Sequence, residues 1–273
     1  MQMMCQALTT ALLQHYLERS LLPAEHACVK THLDHCQQCW GTWNRFRWYK
    51  ARGTRGYAEL QAYLGDAFEE DLDSSWELAH DWDRRHPQTP AEIEAFYRET
   101  PYYLYNLLIW HESGNRPPYV TYAEPFLHTY HCRVICDVGC GIGNDGLLLL
   151  AKGYTVILCE FDNPSSRFLR WRLQQRNLDA RWIQPHEIAS LAGIGVDTLW
   201  TMDVLDHLPD PQAVLHPLLE QVQTFFHEPD IRGKAHGCQR FHLHHEDGYV
   251  QRMCEVYGLR RDTSSQQVSM WHR

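Results

Sequence analysis

The sequence predicts an α/β fold, in which an open and mostly parallel β-sheet carries helices on both faces and follows a small α-helical unit. Three observations predict this fold. The apolar residues 134–138 are typical of a buried parallel strand, and glycines and an apolar helical run follow them. A second buried strand, residues 155–159, comes after that helix and ends at Glu160. The N-terminal residues instead place a histidine and two cysteines at helical spacing.

Three glycines at alternate positions, Gly139, Gly141 and Gly143, form the turn after the first strand. Without Cβ atoms their backbone can adopt turn geometry and approach a ligand closely, and the helix that follows offers unpaired N–H groups. Their G-x-G-x-G spacing differs from the G-x-G-x-x-G of dinucleotide-binding folds. Asp137 would repel a pyrophosphate and suits a ligand with a cationic end. Glu160, at the tip of the second strand, is placed to accept hydrogen bonds from two ribose hydroxyls.

These residues resemble the cofactor-binding motif of the class I S-adenosylmethionine-dependent methyltransferases. Residues 198–211 are similar to the fourth-strand segment of the branch that includes the ubiquinone and menaquinone methyltransferases. The resemblance covers roughly residues 115–273. It implies a Rossmann-like sheet with an antiparallel last strand, and an enzyme that transfers a methyl group to a small or medium-sized acceptor. It also implies S-adenosylmethionine as the cofactor, held by Asp137, Gly139, Gly141, Gly143 and Glu160.

Three further residues are expected at the carboxyl ends of the next strands. Asp203 ends the predicted fourth strand, residues 197–202, and its side chain or backbone would meet the ammonium group of the methionine moiety. His207 follows one turn later, where it would act as a general base for the acceptor or would only orient a loop. Glu187 follows the predicted third strand, and the resemblance implies an acid near this position that contacts adenine. The lysine-proline-glycine-glycine turn usual in the family is replaced by residues 227–233.

The N-terminal unit carries an H-x3-C-x2-C pattern. His32 and Cys36 are four residues apart, so they share a face of a helix, and Cys39 lies within the next turn. Cys5, from a first helix, would complete a Cys3His set, which is a donor set of structural zinc. The pattern resembles the zinc-finger domain of anti-sigma factors, and all four ligand positions of that domain match this sequence.

The surroundings of this pattern leave alternatives open. His35 and Cys28 are rival zinc ligands, because spacing alone does not exclude them. The zinc would stabilise a small unit, serve as a redox switch, or form a docking surface for a protein partner. Residues 40–55 mix basic and aromatic side chains without an acid. Such a stretch can bind single-stranded nucleic acid, but we favour a helix that packs its aromatic residues.

The sequence predicts three segments. They are a helical zinc-finger-like domain at residues 1–64, an acidic linker and helical cap at residues 65–114, and a methyltransferase domain at residues 115–273. Residues 66–83 are rich in acids, which is typical of a solvated linker or helix face. Aromatic residues between positions 97 and 110 are candidates for a pocket wall or for ordinary core packing. Residues 240–245 look like a fifth strand with His242 and His244 on one face, either as a second metal site or as ordinary strand histidines.

Composition limits the partners of the chain. It has 273 residues and a formal net charge of −9, so nucleic-acid binding by charge alone is not expected. No apolar run reaches the ~20 residues that a membrane span needs, and residues 1–20 lack the basic start and apolar block of a signal peptide. Ten cysteines without such a signal predict a reducing, cytoplasmic location.

These patterns together predict an S-adenosylmethionine-dependent methyltransferase with a small-molecule acceptor and an N-terminal zinc site. One alternative is a regulatory module, whose zinc finger binds a protein partner while the methyltransferase-like domain senses its ligand. A weaker alternative is an RNA methyltransferase guided by the basic and aromatic stretch. The sequence contains no N/D-P-P-Y tetrapeptide, which would have indicated a base or amide nitrogen as the acceptor.

Overall fold

The chain forms two compact units that each draw on separate parts of the sequence. The computed structural model describes residues 8–228 and 237–273. Of these, residues 8–87, 100–117 and 237–241 form the helical unit, and residues 88–99, 118–228 and 242–273 form the sheet unit. The domain boundaries that the sequence analysis places near residues 64 and 114 stay predictions.

The helices begin at residues that suit a helix N-terminus. The Thr9 side chain accepts a hydrogen bond from Leu12 N, and the Asn163 side chain accepts one from Ser166 N. In chain order the helices are α1 (Thr10–Leu17), α2 (Pro23–His35), α3 (Gln37–Ala51), α4 (Arg55–Leu64), α5 (Ser74–Arg85), α6 (Pro90–Glu99), α7 (Tyr102–Glu112), α8 (Tyr119–Thr129), α9 (Asn144–Ala151), α10 (Pro164–Gln175), α11 (Pro211–Leu219) and α12 (Tyr249–Val256). Within the described part of the chain, no helix is long and apolar enough to cross a bilayer.

The helical unit has a core built largely from indole rings. Trp40, Trp43 and Trp48 on α3 are 5%, 1% and 0% exposed. Trp48 Nε1 donates to Leu72 O at 3.1 Å, and Trp40 Nε1 donates to Asp73 Oδ1 at 2.8 Å. Buried indoles cannot stack on nucleic-acid bases. The structure therefore agrees with the interpretation of this stretch as a helix that packs its aromatic residues.

The sheet unit contains a seven-stranded sheet in the order β3-β2-β1-β4-β5-β7-β6. Its strands are β1 (Val134–Val138), β2 (Thr155–Cys159), β3 (Arg181–Ile183), β4 (Thr198–Thr201), β5 (Thr224–His227), β6 (Arg260–Asp262) and β7 (Ser269–His272). The first five strands pair in parallel, whereas β7 is antiparallel to both β5 and β6. The predicted α/β fold with a mostly parallel sheet and an antiparallel last strand is thus confirmed. The strand order reverses beside β1, and open sheets bind ligands at the carboxyl ends of their strands at such a point.

The parallel strands are buried on both faces, which explains why they read as continuous apolar runs. Leu199 and Phe225 pack into the core on one face of the sheet. Trp200 and Phe226, the next residues along the same strands, pack into the core on the other face. All four side chains are 0% exposed. The sheet is therefore the rigid layer that fixes the positions of the strand tips.

The strand predicted at residues 240–245 is wrong. Residues Gly237–Gln239 form a short 3-10 helix, and no strand follows until β6. The fifth strand is instead β5, whose four residues are all buried. Polar and apolar residues alternate at 240–245, which is the pattern of a half-buried strand. Strand β5 lacks this alternation because both of its faces are covered. His242 and His244 therefore do not share a strand face.

A buried histidine at the end of β5 makes the stability of the sheet unit depend on pH. His227 Nε2 accepts a hydrogen bond from Trp271 Nε1 at 3.1 Å, and its Nδ1 donates to Glu228 O. Burial lowers the pKa of His227 from 6.5 to about 4. The folded state therefore resists protonation, and the unfolded state takes up the proton first.

We expect the free energy of unfolding to fall as the pH drops from about 6.5 towards 4. Between pH 7 and pH 5, His227 should account for about 2 kcal/mol of this loss, since one pKa unit corresponds to about 1.4 kcal/mol. Urea unfolding at both pH values should show a shallower pH dependence for His227→Gln. The exposed His216→Gln should behave like the parent chain, and an equal slope in all three proteins would contradict the assignment.

Candidate functional site

The turn between β1 and α9 requires glycine for both conformation and space. Gly139, Gly141 and Gly143 have φ angles of +70°, +51° and +77°, in the left-handed region that glycine adopts without strain. A Cβ atom at Gly139 would lie 2.5 Å from Val204 Cγ2, and one at Gly143 would lie 2.2 Å from Leu169 Cδ1. The backbone of this turn is therefore pressed closely between neighbouring elements.

Glu160 connects this turn to the tip of the adjacent strand β2. Its Oε2 accepts a hydrogen bond from Gly141 N at 2.9 Å, and its Oε1 accepts one from Phe161 N at 2.9 Å. Asn163 Nδ2 donates to the same Oε1 at 3.4 Å. Burial raises the pKa of the Glu160 carboxyl, and the N–H donors of these neighbours oppose that rise. The predicted turn and the predicted acid are thus in direct contact.

The turn itself is flanked by carboxylates. Asp137, the fourth residue of β1, is 4% exposed. Burial raises the pKa of the Cys140 thiol well above its usual range, and the nearby charges of Asp137 and Glu160 raise it further. Asp137 and Glu160 thus place two carboxyl groups beside the turn. The preference for a cationic ligand expected from Asp137 stays a prediction.

Asp203 lies two residues beyond β4, the strand next to β1 on the other side. Its φ of +60° is unusual for a residue with a side chain. Tyr119 OH donates to Asp203 Oδ1 at 3.2 Å, and Asp203 N donates to Glu228 Oε2 at 3.0 Å. Burial raises the pKa of Glu228 well above its usual range, and the charges of Asp203 and Asp206 add to the effect. These contacts hold Asp203 at the same edge of the sheet as the glycine turn.

His207 belongs to a cluster with three residues, Tyr97, Asp206 and His242, that the sequence analysis did not connect to it. It ends the 3-10 helix Leu205–His207 after β4, and its Nδ1 lies 3.1 Å from the OH of Tyr97 on α6. His207 Nε2 is 3.5 Å from Asp206 Oδ1, and His242 Nε2 is 4.0 Å from Asp206 Oδ2. No spacing rule links His242 to the residues after β4, because the contact is made across the fold. The role of His207 as a general base stays a prediction.

Glu187 has a local structural task. It lies in the 3-10 helix Pro185–Leu191, is exposed, and accepts a hydrogen bond from Gln184 N at 2.8 Å. This contact caps the first turn of the helix. The adenine contact assigned to Glu187 from the sequence stays a prediction, and the cap supplies a second reason for an acid at this position.

The helical unit brings three of the four predicted zinc ligands together. The donor atoms of His32, Cys36 and Cys39 all lie within 4.8 Å of one another. Cys36 separates α2 from α3, so the break between the two helices turns both cysteines towards the histidine. His35 is exposed, and its Nδ1 pairs with the carbonyl oxygen of Thr31 at 2.7 Å.

Two other zinc candidates have different outcomes. Cys28 is exposed, and the group of three donors does not include it. Cys5, the predicted fourth ligand, lies outside the described residues. One imidazole and two thiols within reach of one point are donors that zinc prefers. The residues present therefore fit a zinc ion with one further ligand.

The mostly parallel sheet with an antiparallel last strand is the fold that the resemblance to the class I S-adenosylmethionine-dependent methyltransferases implied. Glycine N-methyltransferase of Oryctolagus cuniculus is 25% identical to the chain over 131 residues, which cover 48% of this chain and 41% of that protein. Ubiquinone biosynthesis O-methyltransferase of Salmonella paratyphi A is 26% identical over 109 residues, which cover 38% and 45%. The chain thus spans less than half the length of either relative.

The comparison of structures and family models adds two facts. Magnesium protoporphyrin IX methyltransferase from Synechocystis PCC 6803, solved with bound S-adenosylmethionine, has a TM-score of 0.47 and 13% sequence identity. That similarity covers 81% of this chain and 99% of the solved one. No family model matches the chain.

Proposed function

We propose that the chain is an enzyme that transfers the methyl group of S-adenosylmethionine to a small or medium-sized acceptor. The observation that carries this proposal is the hydrogen bond from Gly141 N to Glu160 Oε2. It places a carboxylate beside a bare glycine turn at the tips of two neighbouring parallel strands. Nucleoside ligands bind at this place in open α/β sheets.

The cofactor would use the charges and lone pairs of this site. A carboxylate has about four lone-pair sites, so Glu160 can accept ribose hydroxyls in addition to its backbone donors. Asp203 would meet the ammonium group of the methionine moiety, directly or through its backbone. The sulfonium and ammonium charges of the ligand suit the carboxylates around the turn, which a pyrophosphate would not.

The methyl group passes directly from the cofactor to the acceptor, so the protein forms no covalent bond with either. The acceptor atom attacks the sulfonium methyl carbon in line with the breaking C–S bond, and the electron pair of that bond goes to sulfur. The protein must align the two reactants and exclude water, which can lower a barrier by several kcal/mol. Both relatives named above are methyltransferases, one acting on nitrogen and one on oxygen by their names, which supports the reaction but not one acceptor.

The proposal is tested by following a labelled methyl group. The protein is incubated with S-adenosylmethionine labelled in the methyl group and with a cell extract separated into small molecules, RNA and protein. After the remaining S-adenosylmethionine is removed, we expect label in the small-molecule fraction, and much less with Glu160→Ala. Label in RNA would favour the weaker alternative, and no label in any fraction would count against an enzyme.

The zinc site is proposed as a structural element of the helical unit. Cys39 is 6% exposed and packs in the same core as Leu33 and Trp43. A metal that joins α2 to α3 beside this core would hold the two helices at a fixed angle. The apparent binding free energy of structural zinc in small fingers is about 10–16 kcal/mol, and that energy contributes to folding.

Removal of this zinc should destabilise the helical unit. Cys36→Ser should lower the midpoint of thermal unfolding by several degrees and lose about one equivalent of thiolate-bound metal, which the near-ultraviolet absorption of the cobalt-substituted protein reports. Cys28→Ser, a change of an exposed cysteine, is the matched control. If both variants keep the cobalt–thiolate absorption of the parent chain, the assignment is wrong.

A further inference from the structure

A second group of metal-binding side chains lies in the sheet unit, on the segment that follows β4. The donor atoms of Asp206, His207 and His242 all lie within 4.8 Å of one another. Their side chains are 5%, 17% and 8% exposed. The cluster is therefore largely shielded from solvent, unlike the exposed acidic groups that occur on most protein surfaces.

The two imidazole rings face the same carboxylate from two directions. His207 Nε2 is 3.5 Å from Asp206 Oδ1, and His242 Nε2 is 4.0 Å from Asp206 Oδ2. These separations exceed ordinary hydrogen bonds. They are close to the separations of roughly 3–4 Å between ligands that each bond a shared metal ion at about 2.1 Å. The ring centroids of the two histidines are 4.7 Å apart.

Hydrogen bonds outside the cluster orient the His207 ring and hold the residues that follow His242. Tyr97 OH lies 3.1 Å from His207 Nδ1, so the Nδ1 proton can be donated to Tyr97 while Nε2 keeps a lone pair. Such outer hydrogen bonds orient metal-binding histidines in proteins. Leu243 N donates to Asp206 O at 2.7 Å, and His245 Nε2 pairs with Leu205 O at 2.9 Å. The residues that directly follow His242 are therefore tied to the 3-10 helix.

Another buried carboxyl group, that of Glu228, lies near this cluster. Glu228 is 4% exposed, and within residues 8–228 and 237–273 its Oε1 has no hydrogen-bond partner. Asp203 and Asp206 both lie near enough for their charges to act on it. Three carboxyl groups thus share one poorly solvated region with two imidazoles. A bound dication would offset the negative charge of carboxylates in such a region.

We propose that Asp206, His207 and His242 bind a divalent first-row transition metal ion, and that this ion holds the hydroxyl oxygen of the methyl acceptor. Two imidazoles and one carboxylate suit Mn²⁺, Fe²⁺, Co²⁺ or Zn²⁺ better than Mg²⁺ or Ca²⁺, which take oxygen ligands. Three protein ligands leave positions open for water or substrate. The acceptor part of this inference rests on the proposed methyl transfer, whereas the metal site does not.

The metal would promote loss of the proton from the acceptor hydroxyl, which the sequence analysis assigned to His207 as a general base. A hydroxyl bound to a divalent ion gives up its proton to solvent water more readily than an unbound one. The hydroxyl oxygen would then attack the methyl carbon of the sulfonium, with the C–O bond forming as the C–S bond breaks and the electron pair of that bond staying on sulfur. His207 Nε2, used as a ligand, would not carry the proton.

The test measures metal binding and cofactor binding separately on the full chain. The protein is stripped of metal with a chelator and titrated with Mn²⁺, whose unbound ion is counted by electron paramagnetic resonance. Mn²⁺ is used because it prefers nitrogen and oxygen ligands to the thiolates of the zinc site. We expect about one bound Mn²⁺ per chain, and at least about tenfold weaker binding in His242→Ala and in Asp206→Asn. His244→Ala, which changes an exposed histidine two residues away, should bind like the parent chain.

S-adenosylmethionine titrated into the same samples by calorimetry separates the possible failures. Variants that lose Mn²⁺ and keep cofactor affinity are folded, and they support the metal site. A parent chain that binds the cofactor but no Mn²⁺ overturns this inference and leaves the proposed function standing. Equal Mn²⁺ binding by the parent chain and both variants also overturns it. A chain that binds Mn²⁺ at this cluster but no cofactor keeps the metal site and removes the methyl transfer.

Discussion

Glu160→Ala should weaken binding of S-adenosylmethionine at least about 100-fold. Two ribose hydroxyls of the cofactor would lose the carboxylate that accepts their hydrogen bonds. Hydrogen bonds to charged groups contribute about 1.5–3 kcal/mol each. The backbone N–H groups of Gly141 and Phe161 would also lose their acceptor, so the turn would be less well ordered. Isothermal titration calorimetry measures the affinity directly.

The neighbouring acid Asp162 provides the matched control for this prediction. It is exposed and pairs with Arg167 and Arg170 on α10. Asp162→Ala removes a carboxylate two positions further along the same loop without touching the glycine turn. We expect its affinity to stay within about threefold of the parent chain, since exposed ion pairs contribute little. Equal losses in both variants would mean that Glu160 acts only through general charge.

Gly143→Ala should destabilise the sheet unit by roughly 2–5 kcal/mol. The left-handed conformation costs a residue with a Cβ about 1–2 kcal/mol, and the new methyl group would lie 2.2 Å from Leu169 Cδ1. Relief of such a clash in a packed core typically costs about 1–3 kcal/mol. Urea unfolding at neutral pH should show the loss as a lower midpoint with an unchanged slope.

Gly153→Ala separates the two contributions. Gly153 follows α9 with a φ of +89°, and no atom lies within 4 Å of the position of its Cβ. This variant should therefore cost only the conformational term of about 1–2 kcal/mol. The difference between the two variants measures how tightly the glycine turn is packed. If Gly153→Ala is as destabilising as Gly143→Ala, the turn is not closely packed against α10.

The sequence predicted those parts of the site whose positions depend on residues nearby in the chain. The strand, the glycines and the following helix read directly as β1, turn and α9, because apolar runs and glycines act locally. Glu160 could be placed because it ends the next strand. The zinc donors His32 and Cys36 could be paired because helical spacing fixes their separation.

The parts that the sequence did not reveal depend on contacts across the fold. His242 looked like a strand residue, yet it lies beside Asp206, which precedes it by many residues. Nothing in the sequence singles out Glu228, because the pKa of its carboxyl is raised only by its burial and by the nearby charges of Asp203 and Asp206. Glu187 shows the opposite case, in which an acid at the expected place already caps a helix.

The most direct measurement is a crystal structure of the protein with S-adenosylhomocysteine, the product of the proposed reaction. The account predicts electron density beside the glycine turn, with both ribose hydroxyls in hydrogen-bond distance of Glu160 and the methionine end at Asp203. A cleft occupied by the side chains of the protein itself, or a ligand bound away from Glu160, would contradict the account.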